Sequence, residues 1–296
     1  MLRKAFLLIF AILLLGSTAA RAHDVLVIQG LRARPHDEAF RGFRSACDAD
    51  ARRLYLADLE GSDIVRLVRE ERPRLILAIG PEALKRVRLV KNVPIVYLMV
   101  VSPQTIVKEN RNVTGVTMNL PPERFLDLMA RIAPPPKVVG IIYDPARTGH
   151  LVRRAQQAAR ARGFDIIARE VHTTKEVPEA LSAMKGMIDA LWLLPDTTVV
   201  TPETVELFLL ASQENRLPVI AFAAKYVEMG ALAALDFDGF DQGKQAGEMA
   251  ARILSGAAVT DLPGAEARSA VVKINRSVAQ KLGLSLDNVE RFSVKH

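Results

Sequence analysis

The chain is poor in cysteine, in aromatic residues and in histidine. Cys47 is the only thiol among 296 residues, so no internal disulfide can form even in an oxidising compartment, and the fold must hold by packing. Aromatic side chains make up 5% of the sequence, and none interleaves as a stacking platform with Arg153, Arg154, Arg160 and Arg162 of the basic run from Arg147 to Arg169. Nucleic-acid binding therefore has little support, and those arginines read as a solvated helix face. His23, His36, His150, His172 and His296 show no metal-ligand spacing, so neither a metal nor a cofactor is expected. Also missing are a G-x-S-x-G elbow, a glycine-rich phosphate loop and a G-x-G-x-x-G turn, which disfavours an enzyme and leaves no catalytic residue to assign. The run Asp236 to Asp241 has its glycine in the fourth place and Gly247 in the twelfth, so it is not a calcium loop.

What is present begins with Arg3 and Lys4, an eleven-residue apolar run from Ala5 to Leu15, and the small-residue segment Gly16 to Ala22. That is the pattern of a secretory signal peptide over residues 1–22, cleaved after Ala20-Arg21-Ala22 to leave His23 first. Eleven apolar residues are too few to span a bilayer, which takes about 20. No cysteine adjoins the cleavage point, so no lipid anchor is expected. The formal charge of +7 includes Arg3, Lys4 and Arg21; without them it is +4, a mild excess.

The remaining length exceeds what one hydrophobic core fills comfortably, so two lobes are expected. Apolar runs alternate with amphipathic stretches throughout, the arrangement of βαβ units in a parallel sheet covered on both faces. One series holds DVLVIQG, RLYLADL, RLILAIG and VPIVYLMV, and the other KVVGIIYD, FDIIAREV, DALWLLPD and LPVIAF. The seam should fall near Asn112 to Phe125, and the late elements should complete both sheets. We expect 23–117 plus about 236–262 in the first lobe, and 118–235 plus about 263–296 in the second.

Ligands of open parallel sheets bind beyond the carboxyl ends of the strands. Those ends carry small, polar or acidic residues: Gly80-Pro81-Glu82, Ser102, Tyr143-Asp144, Pro195-Asp196-Thr197-Thr198, Phe222 and Asp236-Phe237-Asp238. Asp144 and Asp196 also precede predicted helices, where helix capping is the alternative role. Thr201-Pro202 reads as an N-cap and first-turn pair, with Thr204 in place of the acid or amide of a capping box. That leaves Asp196 to Thr198 outside the helix, free to face a ligand. Trp192 and Cys47 read as core.

LILAIGPEALKRV, VPIVYLMVVSPQ, NVTGV, VVGIIYDP, DALWLLPDTTV, LPVIAF, GALAALDFDGFDQGKQAGEMAARILSG and INRSVAQKLGL together resemble, in sequence and spacing, the ABC transporter substrate-binding protein family that includes tryptophan/tyrosine-type solute receptors. The resemblance covers about Leu75 to Leu284. It implies a type I periplasmic-binding fold, two Rossmann-like lobes joined by a hinge of several crossovers, closing on a small-molecule ligand. It also implies a periplasmic, monomeric binding protein, not an enzyme, that meets an ABC permease in the inner membrane. A sensor presenting the same cleft to a signalling partner is the alternative. Carried over, the cleft would be lined by Gly80, Pro81, Glu82, Ser102, Tyr143, Asp144, Asp196, Thr197, Phe222 and Asp238, with Asp196 receiving a ligand amine. The chain departs from the family's usual pattern at Pro81-Glu82 and at Ser102.

Overall fold

The computed structural model describes residues 23–107 and 111–290; the expected signal peptide lies outside the described residues. The first half alternates strand and helix as β1 (Val25–Gln29), α1 (Arg34–Ala46), β2 (Ala51–Tyr55), α2 (Ile64–Glu71), β3 (Leu75–Ile79), α3 (Pro81–Val87), β4 (Ile95–Val100) and β5 (Val113–Thr117). The second continues with α4 (Pro122–Met129), β6 (Val138–Tyr143), α5 (Pro145–Arg160), β7 (Asp165–Glu170), α6 (Val177–Ser182), β8 (Ala190–Trp192), α7 (Pro202–Asn215), β9 (Val219–Ala221), α8 (Ala224–Met229) and β10 (Ala233–Phe237). Last come α9 (Gly239–Leu254), β11 (Ala265–Glu266), β12 (Ala270–Ile274), α10 (Arg276–Leu282) and α11 (Asp287–Glu290).

Among the described residues the strands form two six-stranded sheets, ordered β11-β5-β4-β3-β1-β2 and β12-β10-β9-β8-β6-β7. The pairs are parallel except β10 with β12. Strands of such sheets are covered on both faces, and β1, β3 and β4 are buried at every residue. Their side chains alternate between two cores, as the pleat requires. Val25, Val27, Leu75 and Leu77 pack with Phe43 of α1 and Ala246 of α9, whereas Leu26, Ile28, Ile76 and Ala78 pack with Val68 of α2 and Leu84 of α3. The second lobe is built the same way, with Ile141 and Trp192 on one face and Ile142 and Leu191 on the other. These are the two α/β lobes that the alternating runs predict.

The chain passes between the sheets three times: after β5, after β10, and between β11 and β12. The passages are bonded to one another, for the Ala267 N–H donates to the Asn119 carbonyl (3.0 Å) and the Asp238 N–H to the Ser269 carbonyl (3.1 Å). The third is stapled to α9 by Arg268, whose guanidinium reaches both oxygens of Asp241 (2.9 and 3.0 Å) and of Glu248 (2.8 and 3.0 Å). The turning points at Phe237 and Ala267 compare with about 236 and 262 in the sequence reading. β11 is two residues long, too short to leave an apolar run.

Although α9 follows the second lobe in sequence, it packs on α1 of the first. Gly42, Gly243 and Gly247 permit that approach: a Cβ at Gly243 would fall on the Ala39 carbonyl, one at Gly42 on the Phe240 carbonyl, and one at Gly247 would stand 2.5 Å from the Phe43 oxygen. Here the absent side chain is what lets two backbones touch.

Candidate functional site

Residues following β3, β4, β8 and β9 line one cleft of about 510 Å³ between the lobes, within the range of small-molecule sites. The first lobe gives Pro81, Glu82 and Lys85 from α3, and Met99 to Ser102 from the end of β4. The second gives Arg147 from α5, Pro195 to Thr197 after β8, and Phe222, Lys225 and Tyr226 around the start of α8. Met118, on the first passage, forms the floor between them.

Six of the residues expected from the sequence therefore meet at the cleft: Pro81, Glu82, Ser102, Asp196, Thr197 and Phe222. Gly80 stands behind them as the N-cap of α3. Its φ of 95° suits glycine, and its N–H is already bonded to the Leu98 carbonyl (2.9 Å). Glu82 is exposed and bonded to Lys85 at 2.6 Å. Tyr143, Asp144 and Asp238 are not among the lining residues. The Tyr143 hydroxyl donates to Glu170 at 2.6 Å, and burial together with this bond pushes it up to about 12. Asp144 caps α5 by accepting from the Ala146 N–H (2.9 Å) and receives the Thr198 hydroxyl (2.7 Å); that hydroxyl above all holds its carboxyl below the usual range. Asp238 caps α9 through the Asp241 N–H (3.0 Å).

Asp196 lies in the cleft wall, but its carboxylate turns away from a ligand. At 1% exposure, Oδ2 accepts the Asp144 N–H (2.8 Å) and the Thr148 hydroxyl (2.5 Å), and Oδ1 the N–H groups of Thr198 (2.9 Å) and Val199 (3.3 Å). A buried carboxylate needs such donors, and with four of them it braces the strand end. The pairing with a ligand amine expected from its position is not what these contacts provide; Thr197, exposed beside it, is the residue left facing the cleft. α7 also differs from the sequence reading, because Thr201 and Thr204 form a reciprocal capping box (2.9 and 3.4 Å). A threonine hydroxyl there replaces the usual acid or amide.

Sequence reasoning missed Met99, Lys85, Arg147, Lys225 and Tyr226. Met99 is buried with a left-handed φ of 58°, at a register shift between Tyr97 and Val100, a conformation that a side chain other than glycine adopts at a cost. No local pattern announces it. Arg147 and Lys225 lie in the first turns of their helices and Lys85 in the last turn of α3, all positions that read as solvated. The Tyr226 ring stands edge-on to Phe222 at 5.1 Å, and together they make an apolar wall.

Below the cleft, and sharing Val101, Met118, Pro195 and Phe222 with it, lies a smaller pocket of about 90 Å³ walled by Phe125, Leu151, Trp192, Leu194 and Phe237. Among the described residues no group of histidine, cysteine and carboxylate side chains could hold a metal ion, and no helix is long and apolar enough to cross a membrane.

Two parallel-sheet lobes, three passages and a cleft at the strand ends define the type I periplasmic-binding fold. The structure of a substrate-binding protein with adhesive properties from Clostridium difficile, in its ligand-free, open form, superposes with a TM-score of 0.70 at 24% identity, covering 88% of this chain and 95% of that one. An ABC domain from Streptococcus pneumonia in complex with L-Trp superposes with a TM-score of 0.62 at 21% identity, covering 91% and 97%. The family profile of the ABC transporter substrate binding proteins matches residues 57–295, and the chain belongs to that family. The tyrosine-binding protein of Clostridioides difficile (strain R20291) is 28% identical over 228 residues, which is 73% of this chain and 66% of that relative's length.

Proposed function

We propose that this protein is the extracytoplasmic solute receptor of an ABC importer, a single chain that closes its lobes on a small, polar, amino-acid-like ligand and presents the closed form to a membrane permease. The observation that carries this is the cleft: both lobes supply its walls, and bonded passages beneath it allow rotation about a hinge. Its lining mixes an apolar wall with the cations Lys85, Arg147 and Lys225, a composition suited to an organic body bearing an acceptor or anionic group. The ligands named for relatives, tyrosine and tryptophan, are the first to try. The export signal read in residues 1–22 would place the receptor in the periplasm.

The test is a thermal-shift screen of the chain from His23 onward against amino acids, amines, nucleosides, sugars and organic anions, followed by small-angle scattering with each hit. A ligand bound by the native state alone raises the midpoint, and closure should reduce the radius of gyration. A hit that raises the midpoint without compaction, or one that is chemically turned over, would overturn the reading.

A further inference from the structure

The pocket beneath the cleft is lined mostly by apolar side chains; its polar side-chain groups are two acceptors that the fold leaves incompletely used, on Asn119 and Asp236, and the indole N–H of Trp192, which is buried without a partner. Asn119 is 9% exposed; its Nδ2 donates to the Val101 carbonyl (2.8 Å), which fixes the amide's orientation, and its Oδ1 is buried with no partner. Asp236, from β10, presents a half-buried carboxylate on the same wall. Oδ2 accepts the Ala224 N–H at 2.9 Å, and among the described residues no ion pair reaches this carboxylate. Burial pushes this carboxyl up, against the opposing pull of the Ala224 and Phe237 backbone bonds and of the more distant Lys225 and Lys273. A carboxylate on an apolar wall without a counter-ion is costly. Asp196, by contrast, has four donors of its own.

We propose that Asp236, with Asn119 Oδ1, receives a protonated amine on an apolar or aromatic body, and that this amine is what the receptor selects. The inference rests on the solute-receptor reading and names its ligand class. At about 90 Å³ the pocket admits only one end of a ligand, and the rest would extend past Phe222 into the cleft among Arg147, Lys225 and Lys85. The two acceptors below and the three cations above set its orientation, N–H end inward and acceptor end outward. A charge-assisted bond formed in this dry setting is strong, and a ligand without the donor leaves both acceptors desolvated and unpaired. Sugars and deaminated acids are rejected on that ground.

The experiment measures calorimetric binding of six probes: L-tyrosine, L-tryptophan, tyramine, tryptamine, 3-(4-hydroxyphenyl)propionate and indole-3-propionate. Binding should be confined to probes bearing an amine. Asp236→Asn should weaken them at least about tenfold while keeping the native circular dichroism, and should raise the midpoint of the ligand-free protein at pH 8, because the uncompensated charge is gone and the Ala224 bond is retained. An Asp236→Asn variant that binds amine probes as tightly as the parent overturns the assignment. So does a parent that binds the deaminated acids as tightly as the amines, an outcome that leaves the receptor reading intact. A parent that binds none of the six overturns the assignment as well, and the receptor reading is then decided by the broader screen.

Discussion

Thr148 donates its hydroxyl to Asp196 Oδ2 at 2.5 Å, and both residues are buried. The bond ties the first turn of α5 to the turn after β8, so two strand ends of the second lobe meet the cleft as one rigid wall. Replacing Asp196 by alanine would strand the Thr148 hydroxyl and the N–H groups of Asp144 and Thr198. We expect a loss on the order of 3 kcal/mol, and only about 1 kcal/mol for Thr148→Val. Urea unfolding should show midpoints falling in that order; an unchanged midpoint for Asp196→Ala would mean the carboxylate is not the brace described.

The α1 and α9 backbones touch where Gly243 has no side chain. Gly243→Ala puts a methyl group on the Ala39 carbonyl, so the helices must part and the first core opens, at an expected cost of at least about 3 kcal/mol. Gly163→Ala is the control: its φ is 74° with nothing within 4 Å of the added carbon, so it should cost only about 1 kcal/mol of backbone strain. Equal melting temperatures for the two variants would contradict this packing.

Burial raises the Tyr97 hydroxyl to about 12, and burial with the Glu170 bond does the same for Tyr143. A group whose folded value is raised contributes stability that is whole below the unfolded value, near 10 for tyrosine, and is lost as pH climbs from there through about 12. Urea midpoints should therefore fall steeply between pH 10 and 12, and Tyr97→Phe should make the decline shallower. Absorbance titration of the native protein, compared with Tyr97→Phe and Tyr143→Phe, should show both of these hydroxyls ionising late, and ionisation of either near pH 10 would refute it.

Arg268 neutralises Asp241 and Glu248 together and fixes the third passage to α9. Arg268→Met leaves two carboxylates facing each other without a cation. Hydrogen exchange at residues 265–269 should accelerate while the strands of the second sheet keep their protection. Unchanged exchange there would show that the backbone bonds alone hold the passage.

The lobes were legible because a doubly covered parallel strand must be continuously apolar, and runs such as Leu75–Ile79 announce themselves without any partner being known. The return of α9 to the first lobe and the two-residue β11 were harder, since pairing across most of the chain leaves no local period. Strand-end position pointed to Pro81, Ser102 and Thr197, which the fold brings to the cleft wall, but position alone does not reveal whether a side chain's bonds are already taken. Asp196 and Asp236 read alike in sequence. One is met by four donors from its own lobe and the other by backbone N–H groups alone on a largely apolar wall, a difference set by Thr148 and Asp144, which lie 48 and 52 residues from Asp196. Met99 was beyond reach for a related reason, because its backbone is bent by the register shift against β5.

The path of the chain also orders its biogenesis. Strands β6 to β10 emerge from the ribosome before α9 and β11, so the second lobe has most of its sheet while the first still lacks the helix that covers α1 and the strand that completes the edge beside β5. The N-terminal lobe is thus finished late, its sheet and its covering helix complete only once residue 266 has been made.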